Sequence, residues 1–239
     1  MMRVYYDLHI HSALSPCADD DMTPNDIVSM ALLNGLDVIA LTDHNSFANV
    51  QSVQKAASGS GLIVLPGAEV QTAEEVHVLC LFGELDEALS FEEKLSAFYP
   101  KIKNRPDIFG RQIIYDENDI EVSEMERMLM AACLISFDDL FLMVKDAGGA
   151  FIPAHIDRSS NSVISNLGFM PPHLNIPTVE ISPDGIARGF LENNPKHVGG
   201  RKVVTSSDSH QLWKISERER FFELEEKSAQ AVVGHLCQY

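Results

Sequence analysis

Near its start the chain reads Tyr5-Tyr6-Asp7-Leu8-His9-Ile10-His11-Ser12, and His9 and His11 are the first residues whose type and spacing suit chemistry. Alternate side chains of an extended strand share a face, so imidazoles two residues apart can grip one metal ion with little rearrangement. The same spacing returns far down the chain in Asp208-Ser209-His210. Between these pairs lie Thr42-Asp43-His44-Asn45, Gly67-Ala68-Glu69, His77 and Ala154-His155. A set that mixes imidazole with carboxylate suits zinc, manganese or iron better than calcium. It also exceeds the four donors of one tetrahedral ion, so more than one divalent ion is implied.

These residues act together only if the fold gathers them. Residues 4–10 are apolar, aromatic and β-branched, as in a buried strand, with Leu8 and Ile10 expected on the face away from the histidines. Thr23-Pro24 opens a helix that runs to about Asn34 and stops at Gly35. Strands follow at 36–41 and 62–65, separated by a helix at 47–57, and a fourth at 76–82 contains His77. Ser136 caps a helix ending at Gly148-Gly149. Strands at 150–154, 178–181 and 202–206 complete seven, with an edge strand at 221–224 and a last helix at 228–236. Strand-helix alternation predicts a parallel α/β sheet, doubly wound or closed into a barrel. In a parallel barrel the strand C-termini share the face where active sites form, and there His9, His11, Asp43, His44, Glu69, His155, Asp208 and His210 would meet. Residues 84–135 break the rhythm, with a helix at 84–98, an irregular stretch, and a Met-rich segment at 121–134 that also reads as helical. The expectation is a barrel made of 1–83 and 136–239, with a small helical cap inserted between His77 and His155.

Composition narrows the class. The 239 residues carry a net charge of -17, which argues against a non-specific grip on long nucleic acid. A small phosphorylated substrate stays compatible, because bound divalent cations reverse the field inside a site. Cys17, Cys80, Cys133 and Cys237 form no Cys-x-x-Cys pair, and reduced thiols are expected. No apolar run has membrane-spanning length and no leader pattern opens the chain, so a cytoplasmic protein without membrane contact is expected. The oligomeric state is left open.

The motifs Asp7-Leu8-His9-Ile10-His11-Ser12, Thr42-Asp43-His44-Asn45, Gly67-Ala68-Glu69, Ala154-His155 and Ser207-Asp208-Ser209-His210 resemble, in this order, those of the polymerase and histidinol phosphatase (PHP) family. The resemblance is closest to stand-alone phosphoesterases with a helical insertion. It implies a distorted barrel of seven β/α units, TIM-like, with a three-metal centre. Carried over residue by residue, it gives one ion His9, His11, Glu69 and Asp208. A second would take Asp19, His44 and His210, and a third Glu69 as a bridge with His77 and His155. The loop departs from the family's short Ser-Asp-Gly step: Ser15-Pro16-Cys17-Ala18-Asp19 is longer, and Asp20 or Cys17 competes with Asp19.

Beyond the ligands, Asp7 and Asp43 are candidates to orient imidazoles from behind or, for Asp43, to join the chemistry. Arg158 is the first candidate for a phosphate clamp, with Arg105, Arg111 and Arg188 weaker. His210 is a candidate for proton transfer as well as ligation. The implied activity is hydrolysis of a small phosphorylated metabolite or nucleotide by a metal-activated water, with phosphate as product. The alternatives are a nuclease trimming oligonucleotide ends and a non-catalytic, metal-stabilised interaction module.

Overall fold

A computed structural model describes residues 1–238. In chain order its strands are β1 Met2–Ile10, β2 Val38–Leu41, β3 Ile63–Gln71, β4 His77–Leu81, β5 Ile113–Tyr115, β6 Glu121–Glu124, β7 Ala150–Pro153, β8 Thr178–Glu180, β9 Lys202–Val204 and β10 Phe221–Leu224. The helices are α1 Pro24–Leu33, α2 Val50–Ala56, α3 Leu85–Leu95, α4 Pro106–Phe109, α5 Phe137–Asp146, α6 Val163–Leu167, α7 Pro183–Ala187, α8 Phe190–Asn193, α9 Pro195–Val198 and α10 Ala229–Leu236.

A curled sheet runs β10-β1-β2-β3-β4-β7, and main-chain bonds carry it round to a barrel. Ile156 N–H donates to Glu180 O at 2.9 Å, tying the end of β7 to β8. β8 pairs in parallel with β9, and His11 N–H donates to Ser209 O at 2.9 Å, returning β9's continuation to β1. Seven strands thus surround the core as expected, with β10 an antiparallel addition outside them. One strand breaks the expected parallel order: β4 runs antiparallel to both β3 and β7. It is reached by a tight turn at residues 72–76, closed by Thr72 N–H to Val76 O at 2.9 Å. The reversal puts the start of β4, rather than its end, on the face where the other strands terminate. His77 is its first residue.

Apolar side chains form two layers. Val4, Leu8, Val38, Leu65, Leu79, Ile152 and Val204 fill the barrel. Val232, Val233 and Leu236 of α10 join them, and α10 closes the end opposite the site, where Thr178 Oγ1 at the start of β8 donates to Leu236 O. The second layer lies between sheet and helices and includes Ile10, Ile27, Ile39, Val53 and Leu140. Leu8 and Ile10 therefore lie on opposite sides of the sheet, contrary to simple alternation. The register of β1 on β2 shifts between Asp7 and Ile10, and such an irregularity flips the facing of every later residue in the strand.

The inserted segment differs from the expected helical cap. α3 forms behind a capping box of Glu84 and Glu87, but residues 121–134 are not helical. Ile113–Tyr115 and Glu121–Glu124 pair as an antiparallel hairpin. Its turn contains Asp119 at φ 62, and Arg111 bonds both Glu121 and Glu124 across it. The turn-forming Asn118-Asp119 and the paired charges outweigh the apparent helical spacing of the methionines.

Candidate metal centre

The shifted end of β1 turns His9 and His11 to the same side, their Nε2 atoms 3.2 Å apart. The His9 Nδ1–H donates to Glu180 Oε2 at 3.0 Å, and the His11 Nδ1–H donates to Ser15 Oγ at 3.0 Å. A carboxylate acceptor fixes the His9 tautomer, and Ser15 fixes that of His11 because its own hydroxyl proton goes to Asp43 Oδ1 at 2.7 Å. Both Nε2 atoms are therefore left as lone pairs directed at each other.

Glu69 sits at the centre, 1% exposed. Its Oε1 lies 2.8 Å from His77 Nδ1 and 3.1 Å from His155 Nε2. Its Oε2 lies 3.0 Å from His44 Nδ1 and 3.5 Å from His11 Nε2. Asp208 Oδ1 lies 3.2 Å from His9 Nε2 and 3.3 Å from His11 Nε2. Ligand atoms of three trios approach one another within 4.8 Å: His9, His11 and Asp208; His11, His44 and His210; His44, Glu69 and His77.

The backbone is bent to achieve this. Asn45, His155 and Asp208 have φ of 50, 30 and 52, a left-handed region that non-glycine residues enter when surrounding contacts hold them there. Asn45 is held by Gln71 N–H donating to its Oδ1 at 2.9 Å and by its own Nδ2 donating to Leu129 O at 2.7 Å. His155 is held by its N–H donating to Glu180 Oε2 at 3.0 Å.

The arrangement fits divalent cations. Two opposed lone pairs beside the Glu69 and Asp208 carboxylates repel unless a positive charge lies among them, and Arg158 meets only the outer oxygen of Asp208, at 2.6 Å. Burial alone would lower the His9 pKa, but Glu180, Asp208 and Glu69 outweigh it and hold the pKa well above the ordinary value. The group thus stabilises positive charge at this spot. His11 goes the other way, pushed well down by burial and by the neighbouring His210 and His44, and a neutral imidazole is the form that ligates. His155 Nδ1 is buried and has no hydrogen-bond partner among the described residues.

Comparison with known proteins agrees with this geometry. The sequence matches the PHP domain over residues 7–146, which is more than half of the chain. The chain belongs to the PHP domain family. Family and site together make it a metal-dependent hydrolase, as the motifs implied. It is similar to a 5'-3' exoribonuclease of Haemophilus influenzae, 34% identical over 83 residues, or 34% of this chain and 29% of that protein. The chain therefore matches under a third of that relative's length. Among solved structures, the lesion-specific endonuclease PfuEndoQ of Pyrococcus furiosus superposes with a TM-score of 0.72 at 18% identity, over 98% of this chain and 56% of that one. A Bifidobacterium adolescentis protein provisionally assigned as a metal-dependent phosphoesterase gives 0.56 at 18% identity, over 97% and 94% of the two chains. At such identity the structures speak for the fold, a TIM-like PHP barrel.

These relatives correct one expectation. Net acidity argued against long nucleic acid, yet the sequence relative is named as an exoribonuclease, and one endonuclease Q structure holds a 27-mer duplex with its abasic lesion at the active site. Net charge is a sum over the whole surface, whereas a bound strand meets only the local field of its groove.

Of the residues proposed from sequence, His9, His11, His44, Glu69, His77, His155, Asp208 and His210 converge on this one PHP centre. Asp19 does not join them: its carboxylate accepts from Gln211 Nε2 at 3.0 Å, outside the three trios. Cys17 lines the cavity instead, with His44 and His210. Burial would raise the Cys17 pKa, but those imidazoles hold it down at about 7. Asp43 lies behind the site, accepting from Ser12 N–H and from the Ser12 and Ser15 hydroxyls at 2.8, 2.6 and 2.7 Å. Burial, opposed by those bonds, sets its pKa at about 6. Asp7 secures the strand-end loop rather than an imidazole, accepting from Ser207 N–H at 3.0 Å and Ser216 N–H at 2.9 Å. Arg158 Nη1 meets Asp208 Oδ2 at 2.6 Å, while Arg105 and Arg111 pair with exposed acids of the insertion.

Sequence reasoning missed two residues. Glu180 ends β8 as Glu69 lies near the end of β3, and the same strand-end rule would have found it. Ser15 left no signal, because its role depends on the loop's path.

No helix among the described residues is long and apolar enough to cross a membrane.

Proposed function

We propose that this chain hydrolyses phosphate esters of nucleotides, mononucleotides or the ends of short single strands, at the His/Glu69/Asp208 centre. The observation that carries this is a pair of adjoining cavities. One, of about 220 Å³, is lined by His44, Glu69, His77, His155, Asp208 and His210 with Arg158 and has room for a phosphoryl group. The other, of about 830 Å³, also contains Arg158 and adds Arg188, Lys214 and Phe190. Asp157 and Asp184 share this lining, and Arg188 pairs with Asp157 at 3.3 Å. Three cations still outnumber the two acids, and with a ring next to a phosphoryl site they are elements of single-strand recognition, charge for the backbone and a face for a base. The names of the relatives point the same way.

Divalent cations bound among these ligands supply Lewis acidity and a water acidified toward neutrality. The chain's own groups do the rest. Glu69 and Asp208 fix the ligand spacing and balance the local charge. Glu180 and Ser15 hold the Nδ1 protons of His9 and His11, which keeps both Nε2 atoms available. Asp43 positions His11 through Ser15. Arg158 uses one nitrogen on Asp208 and lines both cavities, so the remainder of its guanidinium is placed to meet negative charge on phosphoryl oxygens. His210, expected from sequence as ligand or acid, is assigned here as a ligand.

The small volume of the ligand-lined cavity favours a second reading, a phosphomonoesterase for a small metabolite. The protein reconstituted with Mn²⁺, Zn²⁺ or Fe²⁺ should be assayed on short RNA and DNA strands, mononucleotides, sugar phosphates and an aryl phosphate. Nucleotide substrates are expected to exceed the aryl phosphate in kcat/KM by about tenfold or more, a difference of about 1.4 kcal/mol. Turnover confined to sugar phosphates would establish the second reading instead.

A further inference from the structure

The loop between β1 and α1 brings one soft donor to the centre. Ser15 N–H donates to Ser12 O at 3.0 Å, Ala18 N–H to Ser15 O at 2.9 Å, and Asp19 N–H to His210 O at 2.9 Å. This folded turn sets Cys17 into the cavity that His44 and His210 also line, and turns the Asp19 carboxylate to Gln211. The imidazoles there are prepared to ligate. His11 gives its Nδ1–H to Ser15, His44 directs Nδ1 at Glu69 Oε2, and His210 gives Nδ1–H to Asp208 O at 3.0 Å. Each therefore keeps Nε2 as a lone pair. The three rings already form one of the trios whose donor atoms lie within 4.8 Å of one another, and Cys17 lines the same cavity.

We infer that Cys17 Sγ is a ligand of the cation held by His44 and His210, completing with His11 a donor set of three imidazoles and one thiolate. Such a set selects for zinc, cobalt or iron(II) and against manganese or magnesium, because a thiolate is a soft donor. It makes this position different in metal preference from the carboxylate-rich one around His9, Glu69 and Asp208. The inference rests on the metal-dependent reading of the site but not on any substrate.

Cobalt reports the bond directly. Protein stripped with chelator and reloaded with Co²⁺ is expected to show a near-ultraviolet thiolate-to-cobalt charge-transfer band. Cys17→Ser should abolish the band and weaken Zn²⁺ binding at one site at least about tenfold. Cys237→Ser, which removes the other exposed thiol, should leave both unchanged, and so should Asp19→Asn. Cys17→Asp keeps a ligand while removing the sulfur, so it should keep the metal stoichiometry without the band, and it covers the case in which the serine variant folds poorly. A fully loaded wild-type protein without the band, or a band that survives Cys17→Ser, overturns the assignment. Loss of metal in Asp19→Asn, with the band absent, would return the ligand to Asp19. All these readings are taken without substrate, so failure of the nucleotide proposal leaves them untouched.

Discussion

Glu180 is buried at 1% exposure and its carboxylate serves two strand ends at once, accepting from His9 Nδ1–H and from the His155 main-chain N–H. Replacing it with Gln keeps the shape and one acceptor oxygen for the two donors, but removes the negative charge that supports the His9 imidazole. Glu180→Gln is therefore expected to lower metal affinity by 10- to 100-fold, about the usual effect of removing a group that orients a ligand. Isothermal titration with Zn²⁺ reads this. Glu69→Gln should go further, reducing bound metal and turnover together, because Glu69 faces five imidazoles. Glu74→Gln is the control: Glu74 only accepts the Phe137 N–H at the start of α5, and elemental analysis should find its metal unchanged. The histidines were legible in sequence because they fall at strand ends, a position that an apolar run announces. Ser15 was not, and the choice between Asp19 and Cys17 stayed open in sequence, since which loop residue faces inward depends on turns such as Ser15 N–H to Ser12 O that leave no periodic trace.

At the scale of elements, β3 carries the site's central carboxylate through a narrow gap. A Cβ on Gly67 would lie 2.7 Å from Leu81 Cδ2 and 2.9 Å from Leu41 O, and the second of these is main chain that cannot rotate away. Gly67→Ala is expected to destabilise the fold by about 1–3 kcal/mol, measured as a lower midpoint in urea with an unchanged slope. The β5-β6 hairpin supports the loop that holds Cys17. Ile113 N–H donates to Ala13 O at 2.9 Å and Tyr115 packs in one small cluster with Ile113 and Ala13. Replacing residues 112–125 with a short linker is expected to speed amide exchange at residues 13–22 while β1 to β4 keep their protection. The barrel strands could be read from sequence because each is a short apolar run between turn residues. The hairpin could not, because Glu121–Glu124 is fully exposed and has no buried face to impose a period of two.

Over the whole molecule, charge is uneven. A net of -17 coexists with a cavity where Arg158, Arg188 and Lys214 outnumber Asp157 and Asp184. If a single strand displaces counterions only at these three groups, the logarithm of its affinity should fall with log salt at a slope of about -2, since each single-strand phosphate contact contributes about -0.7. Fluorescence anisotropy of a labelled oligonucleotide, with Ca²⁺ in place of a catalytic ion, measures the slope. Lys214→Ala should bring it to about -1.4. A slope near zero would remove the cavity as a strand-binding groove.

The reversal of β4 bears also on the order in which the centre comes together. Glu69 and His77 lie on two strands joined by a turn of five residues, with Gln71 opposite His77 in the ladder, so a microsecond hairpin event can bring them together. Asp208 and His210 reach His9 only when Ser209 pairs with Ile10, a closure across nearly the whole chain that carries a large loop entropy. Glu69 and His77 thus belong to a local nucleus, whereas Asp208 and His210 arrive with the last strand to close the barrel.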